Sequence, residues 1–275
     1  MTLIKPFRAL RPAPGRAAEI LAPPYDVLSS AEARERARGK PWSFLHVSKP
    51  EIDLDPAINP YDRAVYAKAA ENFNRMSKTG ALIREPKPCY YVYRLTRQGH
   101  TQTGLAAIAS LADYAKNRVR KHEHTTPVKE DDRVRQIEAV NAQTGPVMNG
   151  YPAAPAIDAL LAQAAVETPA VDVTADDGVR HQMWVVADEA AISELTRAFD
   201  ALPALYIADG HHRAASASRA RAELRDRSFA HTGDEEYNFF LTVIFPDDQL
   251  RILPYNRVVR DIGMLTPGEF FLAIK

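Results

Sequence analysis

The stretch Ala204-Leu-Tyr-Ile-Ala-Asp-Gly-His-His-Arg-Ala-Ala-Ser-Ala217 decides the fold. Residues 204–208 are small, apolar and β-compatible, as a short buried strand requires. Asp209-Gly210 breaks that strand, and the Arg, Ala, Ser, Leu and Glu content of 213–227 predicts a helix. Strand followed by helix here predicts an α/β (or α+β) fold, a mixed β-sheet with flanking helices. The same corner carries chemistry. Free N–H groups at the helix start and the positive end of its dipole favour an anion. Gly210 lets the backbone approach a ligand closely, and Arg213 can hold a phosphate or carboxylate through two parallel hydrogen bonds. The alternative is a solvated helix start with two incidental histidines.

Composition narrows the class. Lys plus Arg and Asp plus Glu number 35 each, so the formal net charge of zero argues against a general nucleic-acid binder. Apolar (46%) and charged (25%) contents are those of a soluble globule. No apolar run is long enough to cross a bilayer, and Met1-Thr-Leu-Ile-Lys-Pro-Phe-Arg8 lacks the apolar core of a secretory signal. Cys89 is the only cysteine, which excludes intrachain disulfides and cysteine-rich zinc sites. The expected location is the cytoplasm. With 275 residues, the chain divides into an N-terminal α+β region over 1–118 packed on a core over 119–275, or forms one continuous domain.

Taken in order, Ala22-Pro-Pro-Tyr-Asp26 is stiffened by two prolines, which either present Tyr25 and Asp26 to a site or make a structural turn. Ser30 is placed to cap a helix over 31–38, and Trp42 to Val47 suggests a strand carrying a structural His46. Val65, Tyr66, Ala69, Phe73 and Met76 fall on one helical face, ended by Gly80. Residues 89–95 and 103–110 read as a β-hairpin turned at 97–100. A helix is expected from about Asp131 to Gln143, then a turn-rich link over 144–152. Helices follow at 156–166 and 188–201, and strands at 171–177, 180–187, 238–245 and 250–253. Thr266-Pro-Gly-Glu269 carries cap, first-position proline and capping-box glutamate of a helix that the chain leaves about two turns in, as expected of a fragment of a longer protein.

The second informative stretch is Val119-Arg-Lys-His-Glu-His-Thr-Thr-Pro-Val-Lys-Glu-Asp-Asp-Arg133. A solvated charged face is its plain reading. His122, Glu123 and His124 lack the helical His-Glu-x-x-His spacing of a zinc hydrolase, and neighbouring strand residues point to opposite faces. Glu123 as a general base beside lysine and arginine is the better fit.

Together, Pro-Pro-Tyr-Asp at 23–26, Arg-Lys-His-Glu-His-Thr at 120–125 with Lys129-Glu-Asp-Asp-Arg133, Ala-Asp-Gly-His-His-Arg-Ala-Ala at 208–215 and Ile-Leu-Pro-Tyr-Asn-Arg at 252–257 resemble the bacterial domain-of-unknown-function family ten-fifteen. A shorter, colinear set is similar to SerK-type free serine kinases of the ParB/sulfiredoxin-like superfamily: His122-Glu123, Asp209 to Arg213, and Leu253-Pro-Tyr-Asn256. The resemblance implies a ParB/sulfiredoxin-like core around the Asp-Gly-His-His-Arg turn. It implies Glu123 as general base, with His122 and Asp209 beside it in catalysis, and Gly210, His211, His212 and Arg213 as the phosphate and nucleotide cradle. Asn256, Arg257, Lys129 and Arg133 would contact substrate. Mg²⁺ would bridge the phosphates with Asp209 as ligand, and the donor would be ATP, ADP or pyrophosphate. Serine or phosphoserine is the expected small-molecule partner, with no nucleic acid and no membrane. Two departures are visible: a longer insert between Glu123 and Asp209, and Ala214 where the archaeal kinases carry tryptophan. A phosphoserine phosphatase or phosphate-exchange enzyme and a non-catalytic nucleotide-binding regulatory module are the alternatives.

Overall fold

The structure, a computed structural model, describes residues 2–254, 256 and 258–274. Alternation along Tyr90-Tyr-Val-Tyr-Arg-Leu95 sets its central layer. The described strands are β1 (Ile4–Lys5), β2 (Leu10–Pro12), β3 (Leu82–Arg84), β4 (Tyr90–Arg97), β5 (His100–Ser110), β6 (Val119–Arg120), β7 (Val147–Tyr151), β8 (Val171–Thr174), β9 (Arg180–Val186), β10 (Leu205–Asp209) and β11 (Phe239–Pro246). The helices are α1 (Ala17–Ile20), α2 (Ser30–Ala37), α3 (Leu45–Ser48), α4 (Arg63–Lys78), α5 (Leu111–Ala115), α6 (Pro127–Val140), α7 (Pro155–Ala164), α8 (Glu189–Asp200), α9 (His211–Asp226) and α10 (Pro267–Ala273).

Nine strands make one mixed sheet in the order β6-β10-β7-β11-β5-β4-β9-β8, with β1 also paired to β5. The fold is α/β. Among the described strands, parallel pairing is confined to β6–β10 and β7–β11, and strands from both sides of residue 118 share the sheet. The β4–β5 hairpin turns on Gln98 and Gly99, both at positive φ, the twist that a two-residue hairpin needs. Helix starts follow their side chains. Ser29 and Glu32 form a capping box on α2, Asp62 caps α4, Asp188 caps α8, and Pro127 and Pro155 open α6 and α7.

The two sheet faces have different jobs. Val92, Leu105, Ala107, Phe240 and Ile244 belong to the main core, which α7 and α8 complete with Ile157, Leu161, Leu195 and Phe199. Tyr151 meets Phe199 edge-on at 5.4 Å, an arrangement contributing about 0.5–1.5 kcal/mol beyond area burial. The opposite face carries Tyr91, Tyr93 and Leu95, and the N-terminal segment lies over it. The Tyr91 hydroxyl donates to the Phe7 carbonyl (3.2 Å) and accepts from the Ala9 amide (3.1 Å).

Four local expectations are corrected. Trp42 to Val47 is not a strand: residues 45–48 form α3, whose Leu45 and Val47 pack into two separate small clusters. His46 lies on that helix and pairs with Asp53 at 2.8 Å. The link over 144–152 contains β7, whose buried Asn149 donates its side-chain N–H to Thr242 at 2.7 Å, giving that donor the partner burial demands. Residues 250–253 form no strand: the chain leaves β11 through a short turn at Asp247–Gln249, and 250–253 pair with no described strand. The helix cap at the start of α2 is Ser29, one residue earlier than expected.

Candidate functional site

The corner at 209–213 is built by a register change. The pairing of β10 with β7 shifts between Ile207 and Asp209, and Gly210 then takes φ +94°, a conformation that favours glycine. Gly210 is the N-cap of α9 and has no side chain to cap it. The amides of His211, His212 and Arg213 accordingly have no acceptor among the described residues. A Cβ at Gly210 would stand 3.0 Å from Cζ of Arg213, so the glycine is what lets the guanidinium fold over the corner.

Arg213 is held on three sides. It donates to the Asp209 carboxylate and to the Pro146 carbonyl, and Asp26 lies 3.7 Å away. His211 turns inward and is 3% exposed. Its Nε2 accepts from the His122 amide (3.4 Å), its Nδ1 stands 3.2 Å from Oε2 of Glu123, and its ring meets that of His122 edge-on at 4.4 Å. Burial, reinforced by the charge of His122, lowers the His211 pKa, while Glu123 and Asp209 pull upward. His212 accepts from the Thr126 amide at 3.2 Å. The 121–126 loop is therefore fastened to the first turn of α9 by consecutive histidines.

The remaining candidates fall in different places. Arg133 on α6 is pinned by Asp132 (Nε 2.9 Å, Nη2 2.6 Å) and lies 4.0 Å over the Tyr25 ring. Asp132 in turn accepts from the Tyr66 hydroxyl at 2.9 Å. Arg133, Arg213 and Tyr25 line one cleft of about 470 Å³ between the sheet, α6 and the N-terminal segment. Glu123, His122, His211 and His212 do not line it. Lys129 is exposed on α6, Asn256 is exposed beyond β11, and Arg257 lies outside the described residues. Pro23-Pro-Tyr-Asp26 leads into a single turn over Tyr25–Val27, from which Tyr25 lines the cleft and Asp26 approaches Arg213. Sequence reading passed over Gly145-Pro146, Tyr93 and His181; only the Gly-Pro pair before a strand gave a local signal.

Asp209 suits a Mg²⁺ that arrives on phosphates. Its side chain is 64% exposed and only Oδ2 is engaged, by Arg213, whereas Mg²⁺ needs few carboxylates when phosphates and waters complete its shell. Among the described residues no group of three or more His, Cys, Asp or Glu side chains is gathered for a metal, and no helix is long and apolar enough to cross a membrane.

No curated protein and no solved structure matches the chain. A family model described as "Protein of unknown function (DUF1015)" matches residues 4–275, nearly the whole sequence, and the chain belongs to that family.

Proposed function

We propose that the chain is a small-molecule phosphotransferase, a free-serine kinase like those of the SerK type, working in the cytoplasm with ATP, ADP or pyrophosphate as donor. The observation that carries this reading is the uncapped first turn of α9, flanked by Arg213 and fastened through His211 to the loop that bears Glu123. Three free amides and a guanidinium suit transferring phosphate oxygens, whose charge such groups neutralise without covalent chemistry.

In this reading Glu123 takes the proton of the serine hydroxyl while that oxygen bonds to phosphorus and the bond to the donor's leaving oxygen breaks. Glu123 is 55% exposed at its side chain, which suits a base that must meet a diffusing substrate. The buried His211 acts by holding Glu123 and the His122 backbone in place. His212, Arg213 and the amides near Gly210 cradle phosphates. Mg²⁺ held by Asp209 would supply further neutralisation of phosphate charge. Arg133 would contact substrate from the adjoining cleft, and Lys129 and Asn256 from outside it; Arg257 would be a further substrate contact.

The test is to incubate the protein with serine, Mg²⁺ and each donor in turn and to look for phosphoserine. Product with at least one donor is expected; none with any donor overturns the reading. Release of phosphate from phosphoserine without an acceptor would instead identify the reverse, hydrolytic chemistry.

A further inference from the structure

The cleft has a composition that the phosphate corner does not explain. Its volume of about 470 Å³ lies within the ~300–1,000 Å³ usual for small-molecule sites. Serine alone would leave most of it empty. Pro23, Phe44, Leu95, Ile137 and Val179 line it as half-buried apolar side chains, and no described residue packs over their cleft-facing surface. Uncovered apolar surface of this kind is stabilised when a ligand removes it from water.

The rim is polar in a specific way. Arg133 commits Nε and Nη2 to Asp132, and Arg213 commits both Nη atoms to Pro146 and Asp209. Nη1 of the first and Nε of the second have no acceptor among the described residues. The carboxylates thus aim each guanidinium and leave a donor over. Asp209 and Asp26 are 64% and 43% exposed at their side chains, so water screens their charge. Burial raises the Tyr25 phenol above its ordinary pKa despite both arginines, which keeps it an O–H donor. Ser48, also on the wall, has a buried hydroxyl with no hydrogen-bond partner among the described residues.

We infer that this cleft is a binding site for a small organic anion with a flat apolar body, its ring against the Phe44, Leu95 and Ile137 walls and its phosphate or carboxylate at Arg133 and Arg213. The aromatic and proline side chains around the wall favour a ring over a flexible chain. A nucleoside phosphate and an aromatic carboxylate share this chemistry. The site stands whether or not the corner transfers phosphate.

Calorimetric titration of the full chain with adenosine 5′-monophosphate and with indole-3-acetate tests it. At least one should bind about tenfold or more tighter than its uncharged ring alone, adenosine or indole, a difference of about 1.4 kcal/mol. Arg133→Gln should erase that advantage. Ile137→Trp and, from another wall, Val179→Phe should abolish binding by filling the cleft while the melting temperature holds. Binding of the nucleotide alone assigns a nucleoside phosphate, and binding of the indole acid alone assigns a carboxylate. The inference is overturned if neither probe binds, if the uncharged rings bind as tightly, or if a folded cleft-filling variant binds unchanged. Absence of phosphoserine in the kinase assay touches none of these readouts.

Discussion

Oε2 of Glu123 stands 3.2 Å from Nδ1 of His211, and the two side chains are 55% and 2% exposed. One end of the contact belongs to the surface and the other to the interior. Burial therefore decides the imidazole's state, and it stays neutral at a pH where a free histidine begins to protonate. A neutral ring with its proton on Nδ1 can accept the His122 amide at Nε2 and face the carboxylate at the same time. The loop bearing Glu123 is positioned by that arrangement.

Acid should loosen it. His211 has a folded pKa below its unfolded value, so in acid the unfolded chain binds more protons than the folded one. Its contribution is fully present above about pH 6.5, the ordinary value, and is lost as pH falls below that. His181, desolvated beside Tyr93, shifts in the same direction. Urea midpoints measured from pH 7.5 to 5.5 should fall, and should fall less steeply for His211→Gln. An identical slope in the variant would remove His211 from the account.

Gly210→Ala should cost about 1–3 kcal/mol through its positive φ. Gly178, at φ +80° with no atom within 4 Å of where a methyl would stand, provides the control. Both alanine variants should lose comparable stability by chemical denaturation. Only Gly210→Ala also displaces Arg213, so only it should lose affinity for the anionic probes.

Arg213→Lys keeps the charge and loses the fork. Lysine offers one point donor group where Arg213 engages Asp209 and Pro146 together, so the group over the corner is no longer fixed. A fall of about 100-fold in kcat/KM for phosphate transfer, ~2.7 kcal/mol, is expected with a small change in melting temperature. An unaltered kcat/KM would place the phosphates elsewhere.

Local signals carried α2, α4, α7 to α10 and the hairpin, because caps, prolines and period-two alternation act over a few residues; they passed over the short α1 and α5, and α6 begins at Pro127, four residues before the expected Asp131. They misread β7, since Thr144-Gly-Pro-Val-Met-Asn-Gly-Tyr-Pro152 is made of turn-forming residues and it is Thr242, far along the chain, that takes the Asn149 donor. They misread 45–48 because Leu45 and Val47 owe their burial to two different clusters rather than to a strand partner. The glycine corner was legible from Asp209-Gly-His-His-Arg213 alone. The inward turn of His211 was not, as it depends on a loop that arrives from residues 121–126. The cleft was illegible for the same reason: its walls come from the N-terminal prolines, β4, α6, the 143–146 loop and α9.

Glu123→Gln separates chemistry from architecture. The carboxamide keeps the shape of the side chain and can remain beside His211, but it cannot take a proton from a hydroxyl. With Glu123 as general base, kcat for phosphoserine formation should drop by about 10²–10⁴. Because the side chain is more than half exposed, stability should change by no more than about 0.5 kcal/mol. Donor affinity, read by calorimetry, should hold, since the amides and Arg213 that cradle phosphate are untouched. Donor binding that survives with no turnover in either protein would favour a nucleotide-binding regulator, whereas undiminished turnover would move the base to another group of the corner.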